Sequence, residues 1–299
     1  MPAKSRFPLL LIGAFLALYF VWGSTYLFIR IGVESWPPLL MAGVRFLIAG
    51  TLLYSFLRLR GAPNPSWPQW RAAGCVGILL LSCGNGGVTV AEHAGVSSGV
   101  AALAVATVPL FTLFFGLFRG QRNTRLEWAG IVLGLIGIGL LNLGSNLQAS
   151  PLGAALLIFA AAAWAFGSVW SRSLPLPQGA MAAAAEMLIG GAVLLLGSLI
   201  SGERLQQWPT AAGWGALAYL VFFGSIVAFS AYMYLLKHVR PAAATSYAYV
   251  NPAVAVLLGI LFAGEHIGVE ECVAMAVIIG AVVLIGVPQW RKAKALPTG

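Results

Sequence analysis

Apolar stretches long enough to cross a bilayer follow one another along this chain, with only short polar links between them. They fall at about residues 8–29, 36–57, 70–91, 98–118, 126–143, 151–171, 180–201, 211–236, 243–263 and 270–289. A helix needs about 20 apolar residues to span the hydrocarbon. Backbone groups inside lipid must be hydrogen-bonded internally, which makes each such run a helix. The links leave no room for a soluble domain. Composition agrees, since only 8% of the residues are charged, against roughly 25% in soluble domains. The expected fold is an all-α integral membrane protein of ten transmembrane helices. Asn85-Gly86-Gly87 interrupts the third run, which still reads as a helix because Gly74–Val90 is otherwise apolar. Met1 to Arg6 and the apolar run behind them look like a signal peptide, but no A-x-A site interrupts the run. The segment therefore reads as an uncleaved first helix.

Alternating the ten runs across the membrane from a cytoplasmic N-terminus tests the count. All but Arg30, Arg45 and Arg204 of the 17 basic residues then fall on the inner side, as the positive-inside rule requires. Both termini are expected in the cytoplasm of a multi-pass inner-membrane protein. The same topology accounts for the net charge of +9 without nucleic acid, since no aromatic-interleaved basic patch exists. The three cysteines lack metal or disulfide spacing.

The halves of the chain resemble each other. An offset of 143 residues lays Val96–Leu141 over Val239–Leu284 without a gap, matching Pro109 with Pro252 and Gly137 with Gly280. An offset of 142 pairs Trp22 with Trp164 and Arg30 with Arg172. An offset of 141 lays MAGVRFLIAG (41–50) over AAAAEMLIGG (182–191). Five helices per half is an odd number, so the second half enters the membrane upside down. Two units, 1–145 and 146–299, are expected as a 5+5 inverted repeat. That architecture belongs to transporters with a solute site near the midplane.

The segments WGSTYLFIRIGVESWPPLLMAGVRFLIAG (22–50), GNGGVTVAEH (84–93), ATVPLFTL (106–113), EWAGIVLGLIGI (127–138) and SYAYVNPAVAVLLG (246–259) cover most of the chain's distinctive positions. Together they resemble EamA-type members of the drug/metabolite transporter superfamily, especially bacterial inner-membrane exporters. The resemblance implies a central cavity and export of amino acids, aromatic or neutral ones among them, or of related small metabolites. Substrates vary widely within the superfamily, so drugs and nucleotide- or sugar-related metabolites stay open. One departure is that Gly264-Glu265 keeps a family Gly-Glu, while the matched place in the first half holds Gln121-Arg122.

Candidate site residues follow from cost and spacing. Arg45 and Glu186 are ionisable residues inside spans, at matched positions of the two halves. A charge at that depth faces a cavity or pairs within the protein; they line the transport path and contact a zwitterionic solute, or form an intramembrane ion pair or cap that fixes the packing. Asn85, Thr89 and His93 recur every four residues on one helical face. Histidine is the side chain whose ordinary titration lies near neutral pH, which makes His93 the candidate for proton coupling, against the plainer reading of a solvated loop. Tyr19, Trp22 and Tyr26 share a face of the first helix. With Trp164, Tyr232, Tyr247 and Asn251 they are candidates for an aromatic-lined substrate cavity. Trp36, Trp67, Trp70, Trp208, Trp214 and Trp290 lie near helix ends and read as an interfacial belt. Pro109 and Pro252 each remove a helical hydrogen bond and are hinge candidates.

No zinc pair, nucleophile elbow or Walker A loop occurs, and there is no aspartate in the chain, so neither an intramembrane enzyme nor an ATP-driven pump is indicated. No cofactor or metal is expected. The expected partners are a small-molecule solute, the lipid bilayer and, through His93, protons.

Overall fold

The computed structural model describes residues 6–94, 96, 101, 104–141, 151–251, 253–254 and 269–295, and every regular element among them is helical. Helix α1 runs over Arg6–Leu16, widens into a π-helical stretch at Ala17–Trp22 and resumes at Gly23–Val33. Helix α2 spans Pro38–Leu59. Helix α3 repeats the pattern of α1, with Trp67–Gly77, a π-helical Ile78–Gly86 and Gly87–His93. Then come α4 (Val108–Phe118), α5 (Arg125–Leu141), α6 (Pro151–Ser171) and α7 (Ala180–Ile200). Helix α8 comprises Ala211–Tyr219, a third π-helical stretch at Leu220–Val227 and Ala228–His238. Helix α9 opens with the turn Pro241–Ala244, and α10 spans Val269–Ala295. Among the described residues, six helical segments are long and apolar enough to cross a membrane: Leu9–Val33, Pro38–Leu59, Trp67–His93, Leu152–Ser171, Ala180–Ile200 and Ala211–His238.

Local chemistry sets where the helices stop and start. Helices α2, α4 and α7 end on the same device, a glycine with positive φ at Gly61 (84°), Gly120 (69°) and Gly202 (75°). In each, the residue after the glycine donates its N–H back to a carbonyl of the last turn: Ala62 to Leu57, Gln121 to Gly116 and Glu203 to Ser198. This closure satisfies carbonyls the helix leaves open and needs the left-handed backbone glycine tolerates. At the N-termini, Ser66 and Gln69 form a capping box on α3, and Thr124 and Glu127 bond reciprocally at the start of α5. The Glu203 carboxylate reaches from beyond α7 to the free N–H groups of Leu39 and Leu40 at the start of α2 (3.1 and 2.8 Å).

A close seam joins α2 to α7, and it is two-fold symmetric. A Cβ built on Gly50 stands 2.9 Å from the Leu188 nitrogen and 3.1 Å from the Ala184 carbonyl; one on Gly191 stands 2.9 Å from the Leu47 nitrogen and 3.1 Å from the Gly43 carbonyl. Under the 141-residue offset, Gly43, Leu47 and Gly50 map onto Ala184, Leu188 and Gly191, so each contact is the image of the other. The numbering runs in opposite directions across the seam, which makes the helices antiparallel. Helices α5 and α10 pair in the same sense, with Gly130 against Ala281 and Ile285, and Gly137 against Ile278.

Two expectations are corrected here. Pro109 does not kink the middle of a helix. It sits in the first turn of α4, where a missing N–H costs nothing, and the chain breaks just before it at Ala106–Thr107. Pro252 lies outside the described residues. Trp36 does not join a belt: it is 5% exposed and packs edge-on against Trp214 at 4.8 Å. Trp67 and Trp208 stand exposed at helix ends as expected.

Arg119, Arg122, Arg172 and Arg240 lie close together. Arg240 Nε lies 2.9 Å from Glu127 Oε1, whose side chain is fully buried, and its terminal nitrogen donates to the Arg122 carbonyl. Arg172 donates to the Val239 carbonyl (2.7 Å), and Arg119 bonds Ser173. Burial, with Arg240 nearby, holds the Arg172 guanidinium below its ordinary value.

Candidate functional site

All three π-helical stretches border one cavity of about 80 Å³. A π turn carries an extra residue and leaves its carbonyls poorly paired along the helix, so such turns recur at functional sites. Trp22 closes the wide stretch of α1, Leu81, Gly84 and Asn85 belong to that of α3, and Gly224 to that of α8; all five line the cavity. The freed Gly224 carbonyl accepts the Trp22 indole N–H at 2.9 Å. The next hydroxyl, Ser225, accepts Arg45 Nε at 2.8 Å.

Aromatic rings make one wall. The Trp22 ring centroid lies 4.7 Å from Tyr247, 5.2 Å from Tyr232 and 5.5 Å from Trp164, within the range where tilted and edge-to-face pairs attract. The Trp164 indole N–H donates to the Tyr232 hydroxyl (3.0 Å), which also bonds Ser168 (2.6 Å). Close approach depends on glycine at one point. A Cβ on Gly84 would stand 2.8 Å from Trp164 Cε3.

Of the residues expected at the site, Trp22, Tyr26, Arg45, Asn85, Trp164, Tyr247 and Asn251 line this cavity together. Tyr232 does not; it is fully buried behind Trp164 and orients it. Tyr19 faces a different crevice, where its hydroxyl bonds Ser246 at 2.8 Å. Thr89 is buried and returns its hydroxyl to the Asn85 carbonyl of its own helix. His93 is exposed at the end of α3, outside the cavity. Glu186 is fully buried and off the cavity wall, with neither carboxyl oxygen hydrogen-bonded. Arg45 and Glu186 therefore do not pair. Thr25, Ile29, Phe46, Val88, Gly224 and Phe229 also line the space and were not singled out from sequence. Single serines at 168 and 225 inside apolar runs were the available hint, because a lone hydroxyl in lipid must bond something.

A cavity holds one water per roughly 10–15 Å³ of such space. The 80 Å³ of the cavity thus fits about five to eight waters, the bulk of one mid-sized amino acid at roughly 30 Å³ per water. Its wall is mostly apolar, with a few polar groups converging on it, as small-molecule sites are built. Among the described residues no cluster of His, Cys, Asp or Glu has the makings of a metal site.

Relatives with the same architecture are known. Residues 9–143 and again 151–287 match the EamA-like transporter family. The Escherichia coli K12 protein named "Uncharacterized inner membrane transporter YedA" is 56% identical over 275 residues, covering 92% of this chain and 90% of its own. A second K12 protein, named "Probable amino-acid metabolite efflux pump", is 25% identical over 296 residues, covering 91% of this chain and 94% of its own. One solved crystal structure shares the fold, with a TM-score of 0.75 at 22% identity over 93% of this chain and 98% of the other. The family match runs through both halves, and the cavity lies between helices drawn from each: the chain belongs to the EamA-like transporter family and is a multi-pass transporter of the inner membrane.

Proposed function

We propose that this protein is a secondary transporter that exports amino acids or related small metabolites by alternating access. The observation that carries the reading is the cavity, sized for one such molecule and walled by Trp22 and Asn85 from the first half and Trp164 and Tyr247 from the second. A site shared by two bodies opens to one side or the other when they rock against each other. The name of the second relative, an amino-acid metabolite efflux pump, favours this substrate class. No nucleotide motif supplies energy, so the driving force is the solute gradient or a coupled ion such as the proton.

The architecture we propose is a ten-helix bundle of two five-helix units, 1–145 and 146–299, in opposite orientation with both termini in the cytoplasm. The symmetric antiparallel seam of α2 and α7 supports it, as does the concentration of basic residues on one side. Labelling of single cysteines placed at Asn64 and Gln206 by a membrane-impermeant reagent in intact cells tests the topology. Only the second is expected to react, and labelling of the first overturns it.

Function is tested in proteoliposomes loaded with labelled neutral and aromatic amino acids, with and without a proton gradient. Release that Trp164→Ala slows by about tenfold, the value of one aromatic contact and its hydrogen bond, is the expected result. Release that Trp164→Ala leaves unchanged removes the cavity assignment, and no release of any amino acid removes the substrate class.

A further inference from the structure

We propose that the cavity reads the two charged ends of an α-amino acid at separate poles: Arg45 receives the carboxylate, and the amide oxygens of Asn85 and Asn251 receive the ammonium. This rests on the amino-acid reading above and assigns the chemistry within it.

The argument begins with hydrogen bonds already spent. Both indole N–H groups on the wall are engaged, Trp22 with the Gly224 carbonyl and Trp164 with Tyr232. The Thr25 hydroxyl is given to the Trp22 carbonyl at 2.7 Å. To the cavity these residues therefore offer apolar surface, and polar recognition falls to what is left.

One remaining group is Arg45. A guanidinium has five N–H donors, and the hydrogen bond described for Arg45 uses Nε alone, toward Ser225. Among the described residues no carboxylate pairs with it. Its position is built: Phe46 lies under it at 4.7 Å, and at Gly224 a side chain would stand 2.9 Å from Nη2. A cation held at this depth with its fork unoccupied suits a planar anion that accepts two parallel N–H bonds, which is a carboxylate.

The other remaining groups are the Tyr26 hydroxyl and two side-chain amides, and the amides present acceptors. Asn85 Oδ1 and Asn251 Oδ1 are buried without a hydrogen-bond partner, and both residues stand on the cavity wall. The Asn251 amide is anchored by its hydrogen bond to Tyr26. Unmet buried acceptors are costly, and a compact group with three donors, the ammonium, satisfies them. Glu186, at the matched position of the second half, is off the wall and does not play this part. The aromatic face between the poles takes the side chain.

A ligand lacking either charged end leaves one pole unpaired, so the site discriminates by head group more sharply than by side chain. The test is counterflow in proteoliposomes across the neutral amino acids. Phenylalanine and leucine are each compared with the matching amine (phenethylamine, isoamylamine) and the matching acid (3-phenylpropionate, 4-methylpentanoate) as competitors. Quenching of tryptophan fluorescence by the same compounds is measured in detergent. Both analogues are expected to compete and quench at least about tenfold more weakly than the amino acid, the loss of one charged hydrogen-bond set. Arg45→Gln is expected to weaken the amino acid by that factor and leave the amine unchanged, and Asn85→Ala to weaken the amino acid and leave the acid unchanged. The unmodified protein with its analogue series decides the matter even if a variant fails to fold. Counterflow of amino acids with an amine or acid competing equally well overturns the two-pole assignment and leaves export standing. Selective quenching without counterflow sinks export and keeps the assignment. Neither quenching nor counterflow overturns both.

Discussion

Replacing Gly50 by alanine puts a methyl group where no side chain can yield. The added carbon stands 2.9 Å from the Leu188 nitrogen and 3.1 Å from the Ala184 carbonyl, both backbone atoms, whereas ordinary contact begins near 3.4 Å. Helices α2 and α7 must therefore part by about 0.5 Å, the gap between 2.9 and 3.4 Å. Overpacking of this kind costs about 1–3 kcal/mol, and a chain this large loses roughly 2–4 °C of Tm per kcal/mol. Gly191→Ala makes the image contact on the other helix and should cost the same. The double variant is the informative one. Once the first methyl has spread the seam, the second enters space already opened, so the combined loss should fall clearly short of the sum. Gly215→Ala, where nothing lies within 4 Å, is the control and should be neutral or slightly stabilising. Thermal unfolding of the detergent-purified variants, followed by light scattering or tryptophan fluorescence, reads all four. Additive losses, or an unaffected Gly50→Ala, would refute the claim that one backbone-to-backbone seam is shared by both glycines.

Other perturbations follow from the same geometry. Gly84→Ala should press on the Trp164 ring, which lies 2.8 Å from the new carbon, costing about 1–3 kcal/mol in stability and raising the KM for counterflow several-fold. Trp22→Phe removes the donor that the Gly224 carbonyl now has, and should lower stability by about 1–3 kcal/mol as a buried acceptor is left open. Arg240→Gln strands the buried Glu127 carboxylate and should cost about 3 kcal/mol, whereas the double variant with Glu127→Gln should recover much of that loss; thermal melts of the single and double variants check it. Glu203→Ala uncaps the Leu39 and Leu40 amides and should cost about 1 kcal/mol in the same assay.

Sequence made the helical class, the family and much of the cavity legible, and the places where it misled share a cause. Trp22 and Trp164 were found because they match across the halves in mid-span, and both line the cavity. Tyr19 was placed with them by spacing of three and four, which presumes an α-helix from 19 to 26. The wide stretch at Ala17–Trp22 breaks that register and turns Tyr19 toward Ser246. Asn85, Thr89 and His93 obey the spacing, but a shared face is not a shared role. The hydroxyl of Thr89 is satisfied by its own helix, and His93 is carried past the cavity to the surface. Gly224 and Ser225 escaped notice because a widened turn depends on tertiary packing and leaves no composition of its own. Arg45 and Glu186 were correctly marked as costly, yet their matched positions suggested a partnership that Ser225 and the cavity replace.

The α2–α7 seam has the form of an interface between two identical subunits, in which every contact is made twice. A true pair of identical subunits would be bound by that symmetry. An arginine facing the cavity from one would be repeated by the other, and the pocket would hold two like charges. Joining the copies in one polypeptide releases the constraint. Gly50 and Gly191 meet the facing backbone in both copies, while the equivalent positions 45 and 186 hold a cavity-lining arginine and a buried glutamate. Covalent fusion thus keeps a symmetric frame and permits an asymmetric pocket inside it.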